Sequence, residues 1–114
     1  MAEKKSFDMT QVLSRDRAIL LLHYKTGIKG GELINLNLEN VSLENGTIRM
    51  PMSGKKEQRD IYFDDECGEA LKAWLSVRAA SGNKALFIDN GDRLTDKFVR
   101  TLVKETANRS GLQV

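Results

Sequence analysis

A change of period along the chain constrains its fold more than any other feature. Apolar residues recur at helical spacing as far as Leu36, alternate in strand fashion up to Phe63, and return to helical spacing from Asp65. Strands are confined to the middle and helices flank them, so βαβ units are excluded. The pattern predicts an α+β domain, with helices packed around a small antiparallel sheet.

The first helix is expected from an N-cap at Ser14, with Asp16 in the first turn where the helix dipole favours an anion. Residues 1–13 are polar and mixed and read as a flexible arm, leaving residues 14–114 as the domain. The run Ala18-Ile19-Leu20-Leu21-Leu22 is apolar on all sides and predicts a helix buried all round, Tyr24 included. Gly27 is placed to stop it, and a short second helix is expected over Gly30 to Leu36. The turn signal Asn45-Gly46 leads into an alternating strand, Thr47-Ile48-Arg49-Met50, closed by Pro51. Ser53 to Gln58 reads as a hairpin turn and Arg59 to Phe63 as the returning strand.

From Asp65, the stripe Cys67, Ala70, Leu71, Trp74 and Leu75 predicts a third helix with Arg78 at its margin, ending at Ser81-Gly82-Asn83. Ala85 to Ile88 is a short buried extended piece before the turn Asp89-Asn90-Gly91. Thr95 then caps a last helix with Phe98, Val99, Leu102 and Val103 inward.

Composition narrows function mainly by exclusion. The 114 residues suffice for one small core. No apolar run approaches a membrane span, and no apolar signal segment follows Met1-Ala2-Glu3-Lys4-Lys5, so the expected address is the cytoplasm, at the nucleoid. A single cysteine, Cys67, excludes an internal disulfide, and with a lone His23 it builds no Cys/His metal cluster. Both are read as core residues, as are Trp74 and Phe98. Eighteen basic against sixteen acidic residues give a net charge of only +2, so the placement of the cations carries more information than their sum.

Several words in the chain carry a family resemblance. Arg15-Asp16-Arg17-Ala18 with its apolar run, followed by Thr26-Gly27-Ile28-Lys29-Gly30-Gly31-Glu32-Leu33-Ile34-Asn35-Leu36, resembles the first conserved box of the tyrosine recombinases, or phage integrases. Leu38 to Ile48 resembles that family's entry into its first strands, Ser53 to Arg59 its lysine-bearing hairpin, and Ala85-Leu86-Phe87-Ile88 its segment before another helix. Four words in order at family spacing, over residues 14–111, make the match specific.

The resemblance implies the front part of a catalytic domain that binds double-stranded DNA and positions a scissile phosphate, with no metal or nucleotide cofactor. Lys29 stands where the family has its first catalytic arginine. By itself a lysine just past a helix end is a surface residue suited to the dipole; the surrounding words turn it toward the phosphate pocket. A lysine there keeps the charge but loses the planar two-point fork. Losing one such transition-state contact costs on the order of 10²–10³ in rate.

In the hairpin, Lys55, which follows Gly54, or alternatively Lys56, corresponds to the family's proton donor to the leaving oxygen; the simpler reading is a solvated turn. Lys55, Lys56 and Arg59, with Lys97, Arg100 and Lys104 on the last helix, are the expected phosphate contacts, although the last three also suit the wet side of an amphipathic helix. Glu32 is assigned a structural task, bonding backbone or a basic neighbour. The family's H-x-x-R box and nucleophilic tyrosine have no counterpart here, since neither Tyr24 nor Tyr62 maps to the nucleophile. Cleavage by this chain alone is therefore not expected. Two other readings stand beside DNA docking: a non-catalytic module that binds a partner such as an intact recombinase, and a relic that associates with itself through an uncovered apolar face.

Overall fold

The computed structural model describes residues 9–51, 58–78 and 82–109. Helix α1 runs from Met9 to Thr26. No glycine or proline interrupts residues 9–26, and Gln11 Nε2 donates to the Val77 carbonyl (2.7 Å), tying the early turns down. Ser14 is therefore inside the helix and caps nothing, and residues 9–13 are helical. Nor is α1 buried all round. Arg15, Ala18, Ile19 and Leu22 form one buried face at steps of three and four, while Leu13 (62% exposed) and Tyr24 (52%) face outward. Five consecutive apolar residues at 100° each cover a full circle, yet the packing of α1, chiefly against the helix that begins at Asp65, leaves part of its circumference exposed.

Gly27, at φ +80°, ends α1 with its N–H on the His23 carbonyl (3.1 Å), the left-handed stop that glycine adopts without strain. Helix α2 is Gly30–Ile34, shorter than expected. A single 3₁₀ turn, Leu38–Asn40, leads to strand β1, Val41–Ser42. Strands β2, Thr47–Met50, and β3, Arg59–Tyr62, complete an antiparallel sheet in the order β1-β2-β3. Ile48 pairs with Ile61 and Met50 with Arg59, so these four share the inner face. Thr47, Arg49, Asp60 and Tyr62 take the outer one, where Arg49 Nε bonds Asp60 Oδ1 at 2.6 Å. The expected turn between these strands lies for the most part outside the described residues.

Helix α3, Asp65–Val77, starts as the sequence predicts and buries Cys67, Ala70, Leu71 and Trp74. Asp64 caps it, accepting from the Cys67 N–H (2.9 Å), and also binds Lys25 Nζ (2.9 Å), which in turn holds Glu66 (2.8 Å). The cap bond first and the Lys25 ammonium second hold the Asp64 carboxyl below its ordinary range. A lowered folded-state pKa contributes stability that is present above the unfolded value and lost as pH falls through the folded one. Asp64→Asn keeps a capping side chain and removes this charge. Its thermal midpoint should therefore change less than the parent's on acidification between about pH 5 and pH 2, as followed by circular dichroism; parallel acid limbs would rule Asp64 out as a source of acid lability.

Beyond α3, Arg78 Nη2 donates to the carbonyls of Asn83 and Ala85, both at 2.7 Å, and fixes the crossing to the next segment. There the sequence reading missed a hairpin. Strands β4, Ile88–Asp89, and β5, Asp92–Arg93, pair around Asn90 (φ +55°) and Gly91 (φ +85°), the left-handed pair of a tight hairpin turn. Arg93 reaches back from β5 to the carbonyls of Ile34 (2.8 Å) and Leu36 (3.2 Å) and to Asn37 Oδ1 (2.7 Å), closing the end of α2. Helix α4, Asp96–Arg109, is capped by Thr95 Oγ1, which accepts from the Phe98 N–H (3.1 Å). Val99 is buried, whereas Phe98, Leu102 and Val103 are only half-buried. No helix among the described residues is long and apolar enough to cross a membrane.

Candidate nucleic-acid interface

The loop between α1 and α2 is built to hold one position steady. Ile28 is buried, and its carbonyl accepts from His23 Nδ1 (2.9 Å), so His23, half-buried rather than in the core, fixes this loop. Lys29 follows in extended backbone (φ −85°, ψ 163°) with its side chain exposed, and its carbonyl accepts the N–H groups of Glu32 (2.9 Å) and Leu33 (2.8 Å).

Glu32 reaches back, its Oε1 accepting the Lys29 N–H at 3.2 Å. This is the carboxylate half of a capping box; a lysine cannot supply the other half, having no acceptor. The second oxygen, Oε2, takes Arg59 Nη2 at 3.2 Å from strand β3. One carboxylate thus joins the loop that carries Lys29 to the sheet that carries Arg59.

Helix α4 closes in on the same loop. A methyl group at Gly30 would stand 2.9 Å from Asp96 Oδ1 and 3.3 Å from Val99 Cγ1, so the two elements meet at nearly the closest approach that glycine permits. Beside Gly30 lies a cavity of about 350 Å³ with Val99 and Val103 in its wall and Arg100 and Lys104 among its lining. Arg100 Nε also pairs with Asp96 Oδ2 (3.1 Å) one turn earlier.

The structure therefore places Lys29 at the start of α2 and Arg59, Arg100 and Lys104 on the two elements that meet it there, with Arg59 paired to Glu32 and Arg100 to Asp96. Lys97 is not among them. It lines a separate groove between α1 and α4, with Val12, Arg15, Phe98 and Leu102. Lys55 and Lys56 lie outside the described residues. Tyr62 is 73% exposed on the outer face of the sheet.

The family model described as the phage integrase family matches residues 4–114, nearly the whole chain. The chain belongs to the phage integrase family. Within it, tyrosine recombinase XerC of Thermodesulfovibrio yellowstonii is 38% identical over 109 residues, covering 88% of this chain and 36% of that protein. Tyrosine recombinase XerC of Azotobacter vinelandii is 37% identical over 101 residues, covering 86% and 33%. This phage integrase family chain thus spans about a third of the length of these curated relatives.

Among solved structures, XerA recombinase superposes with a TM-score of 0.79 at 24% identity, covering all of this chain and 44% of its own, a likeness of fold. XerH site-specific recombinase bound to difH substrate, in a pre-cleavage complex, gives 0.77 at 27% identity over 99% of this chain and 33% of its own. The α+β class and the family expected from the sequence both hold.

The structural task expected of Glu32 holds, and one further feature of the site has no sequence signal. Glu32 binds a backbone N–H, that of Lys29, and a basic neighbour, Arg59. Arg15 was read only as a letter of the first box, yet it is the one charged residue in the core among the described residues. Its Nη1 donates to Asp89 Oδ1 (3.0 Å) and the Ile88 carbonyl (3.3 Å), its Nε to Asp16 (2.9 Å), and its guanidinium lies 4.8 Å from the Phe98 ring centroid. An arginine buried and bonded through Nε and Nη1 sets structure, and no local sequence signal separates it from its surface neighbour Arg17.

Proposed function

We propose that this chain is the front part of a tyrosine recombinase catalytic domain, which docks duplex DNA through its phosphates and is completed for cleavage by residues outside the chain. The observation that carries the reading is the convergence of Lys29, Arg59, Arg100 and Lys104 on one loop in a member of this family. A net charge of +2 would not attract DNA strongly if spread evenly. Gathered around a rigid loop, the same cations match a phosphate track.

In this role Lys29 is a point-charge version of the phosphate clamp, and Lys55, or Lys56, is the general acid in the completed enzyme. The chain holds the phosphate and does not cleave by itself. The work is that of a site-specific recombinase in the cytoplasm, at the nucleoid.

Fluorescence anisotropy of a labelled duplex tests the docking. With about four phosphate contacts, affinity should fall by about a hundredfold between roughly 50 and 200 mM salt. A folded sample that binds no duplex at the lower salt would remove the DNA role.

A second reading draws on a different surface. Met9 and Leu13 are exposed on α1, and the α1–α4 groove of about 510 Å³ beside Lys97 is mainly apolar. If this face serves self-association or an intact recombinase, sedimentation shows mass rising with concentration whether or not DNA is present.

A further inference from the structure

We infer that Arg59 supplies at this site the two-point phosphate grip that Lys29 cannot, and that Glu32 is the positioning residue that orients it. The inference rests on the DNA-docking reading and adds how the phosphate is held.

Three observations meet here. Arg59 pairs with Met50 on the inner face at the end of the β2–β3 ladder, on the side shared with Ile48 and Ile61, and from there its side chain reaches Glu32 of α2. Glu32 spends one oxygen on the Lys29 N–H and the other on Arg59 Nη2, so the guanidinium is anchored two hydrogen bonds away from the Lys29 backbone. The anchor uses a single nitrogen. Among the described residues Nε and Nη1 of Arg59 make no hydrogen bond, and the side chain is 41% exposed.

A guanidinium has five N–H donors in one rigid plane, and both of its two-point edges, Nε/Nη2 and Nη1/Nη2, share Nη2; Glu32 takes one of the two Nη2 hydrogens, so the edge that uses the other one stays open. That edge fits two oxygens of one phosphate, with the Lys29 ammonium as a mobile charge beside it. A lysine at position 59 behaves differently: its one ammonium would be taken up by Glu32. Arg100, the other arginine at this loop, instead has its Nε turned to Asp96 on its own helix.

Anisotropy titrations of the full chain with a fluorescein-labelled duplex test this, with folding of each variant checked by circular dichroism. Arg59→Lys should weaken binding about tenfold, nearly as much as Arg59→Ala, and each should lower the salt slope by about one. Glu32→Gln should also weaken binding severalfold. Its amide oxygen can still accept the Lys29 N–H, and the chain gains one net positive charge, so a surface that attracts DNA by charge alone would bind more tightly. In the Arg59→Ala background Glu32→Gln should no longer weaken binding.

Arg59→Lys binding like the parent, or Glu32→Gln binding more tightly with Arg59 present, overturns the inference while leaving DNA docking intact. Absence of binding by the parent chain at low salt overturns both.

Discussion

Arg15→Ala should lower the stability of the domain by about 3 kcal/mol, because it removes a packed side chain and its charged hydrogen bonds from a buried position. For a chain of this size that corresponds to a fall of about 10–20 °C in the thermal midpoint. The side chain is 5% exposed and bridges α1 to the β4–β5 hairpin through Asp89 and the Ile88 carbonyl, while its guanidinium stands over Phe98 of α4. Helix α1 and two elements distant from it in sequence, the β4–β5 hairpin and α4, therefore meet on one planar group.

Truncation leaves the Asp16 and Asp89 carboxylates without this partner and opens space against Phe98. Arg15→Lys restores the charge but reaches only part of this set, and should recover about half of the loss, since one ammonium cannot match the fork. Thermal melts followed by circular dichroism decide the matter. A midpoint for Arg15→Ala within a few degrees of the parent would mean that the hairpin and α4 dock independently of Arg15.

Trp74→Ala should cost about 3–5 kcal/mol, the range for emptying a large aromatic site in a packed core. With total stability of small domains at about 5–15 kcal/mol, this variant is expected to sit near the edge of folding. The indole fills the space between α3 and the following segment, stacked near Phe87 with centroids 6.3 Å apart, and its Nε1–H donates to the Leu86 carbonyl at 2.8 Å.

Trp74→Phe separates the two contributions. It keeps an aromatic ring but leaves the buried Leu86 carbonyl without this donor, and should cost about 1–3 kcal/mol. Because Trp74 is the chain's single tryptophan, urea unfolding is best followed by circular dichroism rather than by intrinsic fluorescence. Equal losses for the two variants would assign the whole effect to the hydrogen bond.

What the sequence made legible, and what it hid, divides along physical lines. Local chemistry was readable. Gly27, Asn45-Gly46 and Thr95 each enforce a backbone conformation within a few residues, and all three act where expected. The α3 stripe was readable because its apolar residues keep strict helical steps.

The start of α1 was misplaced because Ser14 has the chemistry of a cap, whereas what decides the helix start is the absence of a breaker and the distant Gln11–Val77 bond. The depth of α1 was overestimated because burial depends on how many neighbours an element has, which periodicity does not contain. The β4–β5 hairpin was missed because each strand has two residues, too short to show alternation.

At the site, the motif pointed to Lys29 and the hairpin cations. The division of Glu32 between Lys29 and Arg59 joins residues 27 positions apart, and only the fold could show it.

The burial of Cys67 has a consequence for how this domain can be observed. It is the chain's single cysteine, it is 1% exposed under the first turn of α3, and burial, followed by the charge of Asp64, pushes its thiol above the ordinary range. A thiol in that position is unreactive while α1 and α3 stay together, and attack requires the thiolate. The rate at which an alkylating reagent finds it is then a clock for the parting of those two helices. The native chain carries this reporter without an added label.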